Sequence, residues 1–352
     1  MALGKSRYLF ACALALAAAL GAGLAPAPAS AANPYEGTVP AITSGYGAYG
    51  PYSVSKQQIT NPAYVLKKVV VFYPNGISGV RPTIFFSHAY GANDVDTYLE
   101  LMNNLASNGY VVVFTPYATL ASNDQRYTQL WSGFQAAVSA LPTRIDTTRV
   151  GFVGHSFGGG ATPEMARRGF AAGWGANGRF MFMLAPWYSL QISQTQLQSF
   201  PSNTKLVVQV YEDDDKNDHR MGIDIFNTVN IAAAEKDYVR IGTDTADGYT
   251  FESHHVVPSQ GGLGGVYNGY DYWGVFRHIQ ALATYAFTGN ATAKSIALGN
   301  GGATQIDMGT STGGHVMKKL SVTDSPAPFH AQSFYLYPCN STDNPRASYC
   351  AP

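Results

Sequence analysis

Residues 149–160 read Arg149-Val150-Gly151-Phe152-Val153-Gly154-His155-Ser156-Phe157-Gly158-Gly159-Gly160. The stretch begins as an apolar run, which is typical of a buried strand, and the residues that follow it can form a helix. A serine between two glycines at such a junction must lie on a tight turn. Side chains two residues before and after the serine would collide there, so Gly154 and Gly158 are predicted to be steric requirements.

The Gly-x-Ser-x-Gly form in this context predicts a nucleophile elbow, the turn on which α/β-hydrolases carry their reactive serine. The strain of the turn would hold the Ser156 hydroxyl above the edge of the sheet. The amide of Phe157 would then lie at a helix N-terminus, where a developing oxyanion is stabilised. The alternative is a glycine-rich turn without catalytic meaning, because the bare motif also occurs by chance.

Apolar and β-branched runs alternate with helix-period segments on both sides of this turn. This alternation predicts an α/β-hydrolase fold with a mostly parallel central sheet and helices on both faces, in which reactive groups lie at the carboxyl ends of the strands. The predicted strands are 53–59, 67–73, 83–87, 110–114, 149–155, 180–184, 205–211 and 238–241. The predicted helices are 94–107, 125–141, 218–236 and 272–287.

Length and charge restrict the class of protein. The chain has 352 residues, 46% of them hydrophobic, with 22 Lys and Arg against 22 Asp and Glu. Zero net charge argues against nucleic acid and against a polybasic membrane contact. We expect a monomer with one catalytic domain, residues 32–287, and an irregular C-terminal extension, residues 288–352, packed on that domain.

The first 31 residues are typical of a secretory signal peptide. Lys5 and Arg7 precede the apolar segment 8–24, and Ala29-Ser30-Ala31 offers small residues for cleavage. No later stretch is long enough to span a bilayer. The sequence therefore predicts a secreted protein, extracellular or periplasmic.

Cys339 and Cys350 are the two cysteines that would remain after cleavage, since Cys12 lies in the signal peptide. An even count in a secreted chain predicts a disulfide, worth about 2–3 kcal/mol for so short a loop. No histidine lies at ligand spacing from these cysteines, so we expect no zinc site and no other metal.

The serine needs a base, and in this fold the chain order is serine, acid, histidine. Of the eight histidines, His254 and His255 follow the last predicted strand in a loop, where the base belongs. The sequence favours His254 and leaves His255 open.

The acid should follow strand 205–211, where residues 212–218 offer several carboxylates. Asp214 is favoured and Asp215 is next. A solvated acidic loop is one alternative reading. Another is a calcium loop, because Asp213-x-Asp215-x-Asn217 has the right oxygen spacing, although the glycine and the closing glutamate are missing.

Two aromatic residues complete the predicted site. The amide of Tyr90, after strand 83–87, is the candidate second oxyanion donor. Trp187, after strand 180–184, could form a wall of the pocket. The alternatives are an exposed loop tyrosine and a core tryptophan.

Taken together, these residues resemble the secreted cutinase-like polyester hydrolases, the family that includes poly(ethylene terephthalate) hydrolases. The resemblance extends from about residue 33 to residue 287. The segments that carry it are Gly50-Pro51-Tyr52, His88-Ala89-Tyr90, Gly154-His155-Ser156-Phe157-Gly158-Gly159-Gly160, Ala185-Pro186-Trp187, Glu212-Asp213-Asp214 and Ser253-His254. It implies Ser156, Asp214 and His254 as a catalytic triad, with Tyr90, Phe157 and Trp187 binding substrate and no cofactor.

The chain departs from that family's pattern at Phe157, where the family has methionine, and in the length of the C-terminal extension. We therefore expect a serine carboxylic-ester hydrolase for short, uncharged acyl groups, about C2 to C6, with modest polyester activity. The expected pocket has two aromatic walls with no charge nearby. An amidase or peptidase, a feruloyl or dienelactone hydrolase, and a non-catalytic binding protein of the same fold remain alternatives.

Overall fold

The computed structural model describes residues 33–350, so the predicted signal peptide and Cys12 lie outside the described residues. Within this range, nine strands form one sheet and two more form a hairpin. The sheet strands are β1 (Val54–Thr60), β2 (Lys68–Pro74), β3 (Arg81–Ser87), β4 (Val111–Thr115), β5 (Ile145–His155), β6 (Gly178–Leu184), β7 (Lys205–Tyr211), β8 (Lys236–Ile241) and β11 (Ser321–Thr323). The hairpin consists of β9 (Asp244–Ala246) and β10 (Tyr249–Phe251).

The strand order in the sheet is β1-β2-β4-β3-β5-β6-β7-β8-β11. From β4 to β8 every neighbouring pair is parallel, whereas β1, β2 and β11 pair antiparallel at the two ends. This is the predicted α/β-hydrolase fold with a mostly parallel sheet. It places the carboxyl ends of β3, β5, β6 and β7 side by side at one edge, where ligands bind in such sheets.

Eight α-helices occur among the described residues. Their bounds are α1 (Leu99–Ser107), α2 (Asn123–Ala140), α3 (Phe157–Ala171), α4 (Gln194–Gln198), α5 (Arg220–Thr228), α6 (Arg277–Thr288), α7 (Ala291–Ala297) and α8 (Ala303–Ile306). Strand residues alternate between two apolar cores: Ile84 packs with α1 and α6 residues, while Phe85 packs with α2, α3 and α5 residues. Both faces of the sheet are therefore covered by helices, as predicted.

Helix α5 is shorter than the sequence predicts. It ends at Thr228, although the helical pattern continues to Lys236. Val229 is extended, with φ −66° and ψ 132°, and the amine of Lys236 donates to the carbonyl oxygens of Phe226 and Val229. The lysine thus binds carbonyls that the last turn of the helix leaves free, and the chain enters β8 instead.

The C-terminal extension contains regular elements that its composition does not indicate. Beyond α7 and α8 it contributes β11, which adds an antiparallel strand to β8 at the edge of the sheet. The predicted disulfide between Cys339 and Cys350 is present. Among residues 33–350, no helix combines the length and apolar character needed to cross a bilayer.

Candidate active site

Ser156 lies on a strained turn between β5, which ends at His155, and α3, which begins at Phe157. Its φ is +56°, in the left-handed region that non-glycine residues rarely adopt. A Cβ atom on Gly154 would lie 2.2 Å from the carbonyl oxygen of Gly158, and one on Gly158 would lie 2.0 Å from that of Ser87. Both positions exclude any side chain, so the predicted steric role of the two glycines is confirmed.

Three side chains form a continuous hydrogen-bonded series at the carboxyl edge of the sheet. The Ser156 hydroxyl is 2.9 Å from His255 Nε2, and His255 Nδ1 is 2.8 Å from the Asp214 carboxylate. Asp214 and Ser156 are buried, and the His255 ring is 14% exposed. With Nδ1–H donating to Asp214, Nε2 is free to accept the serine proton, which is the arrangement of a nucleophile, a base and an orienting acid.

The prediction that His254 contacts the serine is wrong. Its ring is 48% exposed and lies near the Glu252 carboxylate, with Nδ1 3.1 Å from the carbonyl oxygen of Asp213. It faces a separate depression of about 250 Å³ whose lining does not include Ser156, Asp214 or His255. Two adjacent residues of a loop point in different directions, and the turn that begins at His255 directs the second ring, not the first, to Ser156.

Asp214, not Asp215, is the carboxylate that the structure brings to the histidine. The Asp214 oxygen that does not contact His255 accepts the backbone amides of Lys216 and Asn217, at 2.9 and 3.0 Å. These bonds fix the orientation of the carboxylate. The Asp215 side chain is 56% exposed and pairs with Lys216 at the surface.

The calcium-loop reading of this segment does not fit the geometry. The Asp213 carboxylate accepts the hydroxyl of Thr243, and the Asn217 side-chain amide donates to the carbonyl oxygen of Ala185. The Asp215 carboxylate pairs with Lys216, so the three side chains make separate contacts instead of converging on one point. Within residues 33–350, no group of three or more acidic, histidine or cysteine side chains is arranged to hold a metal ion.

Asn217 is a site residue that the sequence did not predict. Its buried amide nitrogen lies 3.5 Å from the Ser156 hydroxyl and donates to Ala185 at 2.8 Å. It adds a polar contact beside the Ser156 hydroxyl. The sequence offered one signal, its position in the acidic loop, but nothing there distinguishes Asn217 from its neighbours.

His155, inside the serine motif, holds the backbone of His255. The Tyr98 hydroxyl accepts the Ala89 amide and is 2.9 Å from His155 Nδ1, while His155 Nε2 is 2.7 Å from the carbonyl oxygen of His255. Burial keeps the pKa of His155 well below its usual value, so the ring stays neutral and donates from Nε2. A buried series of hydrogen bonds thus joins the Tyr90 loop to the His255 loop.

One side of the serine carries Tyr90, Phe157 and an unexpected charge. Tyr90 is 51% exposed, whereas the Phe157 ring is only 4% exposed and packs against Tyr117 and Tyr127. The guanidinium of Arg126 lies 4.8 Å from the Tyr90 ring and 5.2 Å from the Phe157 ring. The expectation of a pocket without nearby charge is therefore wrong, and the Phe157 side chain supports the rim from below instead of forming a wall.

The other side of the serine carries Trp187, which follows β6, whereas Tyr90 follows β3. Because β5 lies between β3 and β6, the two aromatic residues flank Ser156 from opposite sides. Trp187 is partly exposed, and its ring meets Tyr337 of the C-terminal extension edge to face at 5.1 Å. The extension thus reaches this rim, which nothing in its sequence indicated.

Comparison with known proteins gives a family and several curated relatives. The model of the PET hydrolase-like family matches residues 29–256, which include Ser156, Asp214 and His255. The chain is similar to the bis(hydroxyethyl) terephthalate hydrolase of Streptomyces coelicolor, with 33% identity over 39% of this chain and 46% of the relative. It is also similar to a cutinase of Thermobifida fusca, with 32% identity over 39% of this chain and 47% of the relative.

A third relative, cutinase est1 of Thermobifida alba, is 34% identical over 39% of this chain and 48% of its own length. The match therefore spans about half the length of these curated relatives. The family model covers more of the chain than these pairwise matches and includes the whole region from the arm before β1 to the His255 loop. With an α/β-hydrolase fold and a serine elbow in that region, this chain belongs to the PET hydrolase-like family.

Proposed function

We propose that this protein is a secreted serine carboxylic-ester hydrolase. The observation that carries the proposal is the series Ser156–His255–Asp214, with hydrogen bonds of 2.9 and 2.8 Å at the carboxyl edge of a parallel sheet. The similarity to proteins named cutinase and bis(hydroxyethyl) terephthalate hydrolase supports ester chemistry.

In the proposed mechanism the Ser156 oxygen attacks the ester carbonyl carbon while His255 Nε2 takes the hydroxyl proton. Asp214 stabilises the resulting imidazolium. The backbone amides of Tyr90 and Phe157 donate to the oxyanion of the tetrahedral intermediate; the Phe157 amide belongs to the first turn of α3, which has no intrahelical acceptor. His255 then gives its proton to the leaving alcohol, and a water molecule repeats the sequence on the acyl-enzyme.

The aromatic residues on the two sides of Ser156 favour esters whose acyl group is short, about C2 to C6, or flat and aromatic. Polyester chains would bind as extended substrates. Tyr90 and Trp187 offer aromatic surface on opposite sides of the nucleophile. Secretion is supported by the basic and apolar N-terminal segment and by the Cys339–Cys350 disulfide, since such bonds persist in oxidising compartments.

The test is labelling by a fluorophosphonate together with turnover of 4-nitrophenyl acetate and butyrate. The unaltered protein should be labelled and active. Ser156→Ala should lose the label and about 10⁴–10⁶ of its turnover, because it lacks the nucleophile. Ser295→Ala, a change in the exposed part of α7, is the control and should behave like the parent. Retention of a tenth of the activity by Ser156→Ala would refute the mechanism, and faster cleavage of matched anilides than of esters would favour an amidase.

A further inference from the structure

The Arg126 guanidinium is a cation held at the rim of the site, beside the Tyr90 and Phe157 rings. It donates from one nitrogen to Asn123 Oδ1 at 2.9 Å and from another to the carbonyl oxygen of Thr119 at 2.7 Å. None of the ion pairs found in the part of the chain that the structure describes includes Arg126. Asp124, two residues earlier, binds the side-chain amide of Gln191 instead.

The remaining hydrogen-bonding capacity of this side chain is large. A guanidinium has five N–H groups, of which these two bonds use two. Its Nε is buried and has no hydrogen-bond partner among residues 33–350. A partly buried cation with unused N–H groups carries a desolvation cost, which binding of a carboxylate would offset.

The two aromatic rings hold the guanidinium in place. The Tyr90 and Phe157 rings lie 4.8 and 5.2 Å from its central carbon. Stacking of this kind uses the faces of the guanidinium, and because Nε is buried, one further N–H on each terminal nitrogen remains for an anion. Arg126 is therefore a rigidly placed fork, and its neighbour Phe157 directly follows the nucleophile in the chain.

We propose that Arg126 is an anion subsite that binds the second carboxylate of the acyl group, so that the enzyme cleaves monoesters of dicarboxylic acids. This inference rests on the proposed esterase function. The ester carbonyl would lie at Ser156 with the free carboxylate toward the Tyr90 side, where β3 ends. A neutral diester or polyester chain would present a carbonyl oxygen at the same place. A guanidinium binds a neutral carbonyl oxygen more weakly than it binds a carboxylate.

Two acyl groups of equal length test the proposal. We would compare kcat/KM for the 4-nitrophenyl monoester of adipic acid with that for 4-nitrophenyl hexanoate. A charge-assisted hydrogen bond predicts that Arg126→Gln lowers the adipate-to-hexanoate ratio by about 10 to 100-fold. Arg126→Lys keeps the charge without the fork and should give an intermediate ratio.

Arg144→Gln is the matched control. Arg144 also stacks on a tyrosine, with its central carbon 4.2 Å from the Tyr73 ring, but it lies beside Arg81 at the amino ends of the strands, away from Ser156. This change should leave the ratio as in the parent. If Arg126→Gln leaves the adipate-to-hexanoate ratio unaltered, the subsite is overturned. If kcat/KM also falls equally for both esters, Arg126 has a purely structural role.

A measurement on the unaltered protein guards against misfolding of the variants. Raising the salt concentration should increase KM for the adipate monoester more than KM for the hexanoate ester, because only the first has an exposed charge to be screened. Equal salt dependence for the two esters would contradict the proposal. Absence of turnover of both esters would instead refute the esterase function itself, so the two failures are distinguishable.

Discussion

At the scale of single residues, the site depends on the direction of one ring. His254 and His255 are adjacent, and both satisfy the chain order of serine, acid and histidine. Only the His255 ring reaches Ser156 and Asp214, at 2.9 and 2.8 Å. Sequence order can therefore locate the loop that carries the proposed base, but it cannot choose between the two histidines, because the choice depends on backbone torsion within the loop.

This geometry predicts opposite outcomes for the two histidines. His255→Ala should lower kcat/KM for 4-nitrophenyl butyrate by about 10³-fold or more, since no base remains for the serine proton. His254→Ala should stay within a few-fold of the parent, because its ring is half exposed and contacts Glu252. Steady-state kinetics of both variants, with circular dichroism to verify folding, would check this. An inactive His254 variant beside an active His255 variant would reverse the assignment.

At the scale of elements, the sequence predicts the sheet well. Strand β7 lies where its β-branched run predicts it, and the elbow glycines are confirmed by the contacts that a Cβ would make. Strong local patterns of apolar residues and glycines carry that information. Asn217, Arg126 and Tyr337 were not predicted, because each reaches the site through a contact between segments far apart in the chain, which no local pattern encodes.

The contact between Trp187 and Tyr337 of the C-terminal extension joins two segments that are far apart in the chain. The amide of Leu336 donates to the carbonyl oxygen of Asp215, and that of Tyr337 to the carbonyl oxygen of Lys216, in the loop that also carries Asp214. Leu336 and Tyr337 remain 60% and 47% exposed. The extension thus lays apolar surface beside Trp187 and is fixed to the acid loop by backbone bonds.

We expect Trp187→Ala and Tyr337→Ala to raise KM for 4-nitrophenyl benzoate about 3 to 10-fold more than KM for the acetate, because aromatic contacts contribute roughly 0.5–1.5 kcal/mol. Tyr349→Ala is the control: this tyrosine of the extension is 48% exposed and stacks on Arg346, in the segment closed by the disulfide. It should not alter the benzoate-to-acetate ratio. Equal changes for both esters in the Trp187 variant would contradict an aromatic wall.

At the scale of the whole molecule, the extension is anchored by buried polar contacts as well as by β11. The Arg346 guanidinium pairs with the Asp224 carboxylate of α5 at 2.6 Å, and both side chains are buried. The amide of Cys339 donates to the Asp218 carboxylate at 3.0 Å. Removal of one partner of such a pair would leave a buried charge uncompensated, so these contacts fix the extension to α5 and to the loop before it.

His219 is the acid-sensitive point of this anchorage. Its Nε2 accepts the amide of Phe329, the two rings stack at 3.7 Å, and its Nδ1 contacts the Tyr335 hydroxyl. Burial lowers the pKa of His219 to about 3, with the charges of Arg220 and Arg240 acting in the same direction and that of Asp218 opposing them. The folded protein therefore holds this ring neutral, because a proton on Nε2 would remove the acceptor for Phe329.

The sign of the resulting pH dependence follows from linkage. Below a pH of about 6.5 the unfolded chain protonates this histidine while the folded chain does not, so unfolding takes up a proton and acid destabilises the fold. The contribution of His219 is intact above pH 6.5 and decreases by up to about 1.4 kcal/mol per pH unit as the pH falls toward 3.

His219→Gln should flatten the dependence of the unfolding free energy on pH in this window by up to that slope, measured by urea denaturation between pH 6.5 and 4. The exposed His315, changed to Gln, is the control for loss of a histidine as such. A slope unchanged by His219→Gln would show that this ring already binds its proton in the folded state, and the anchorage would then have to tolerate a charge beside Phe329.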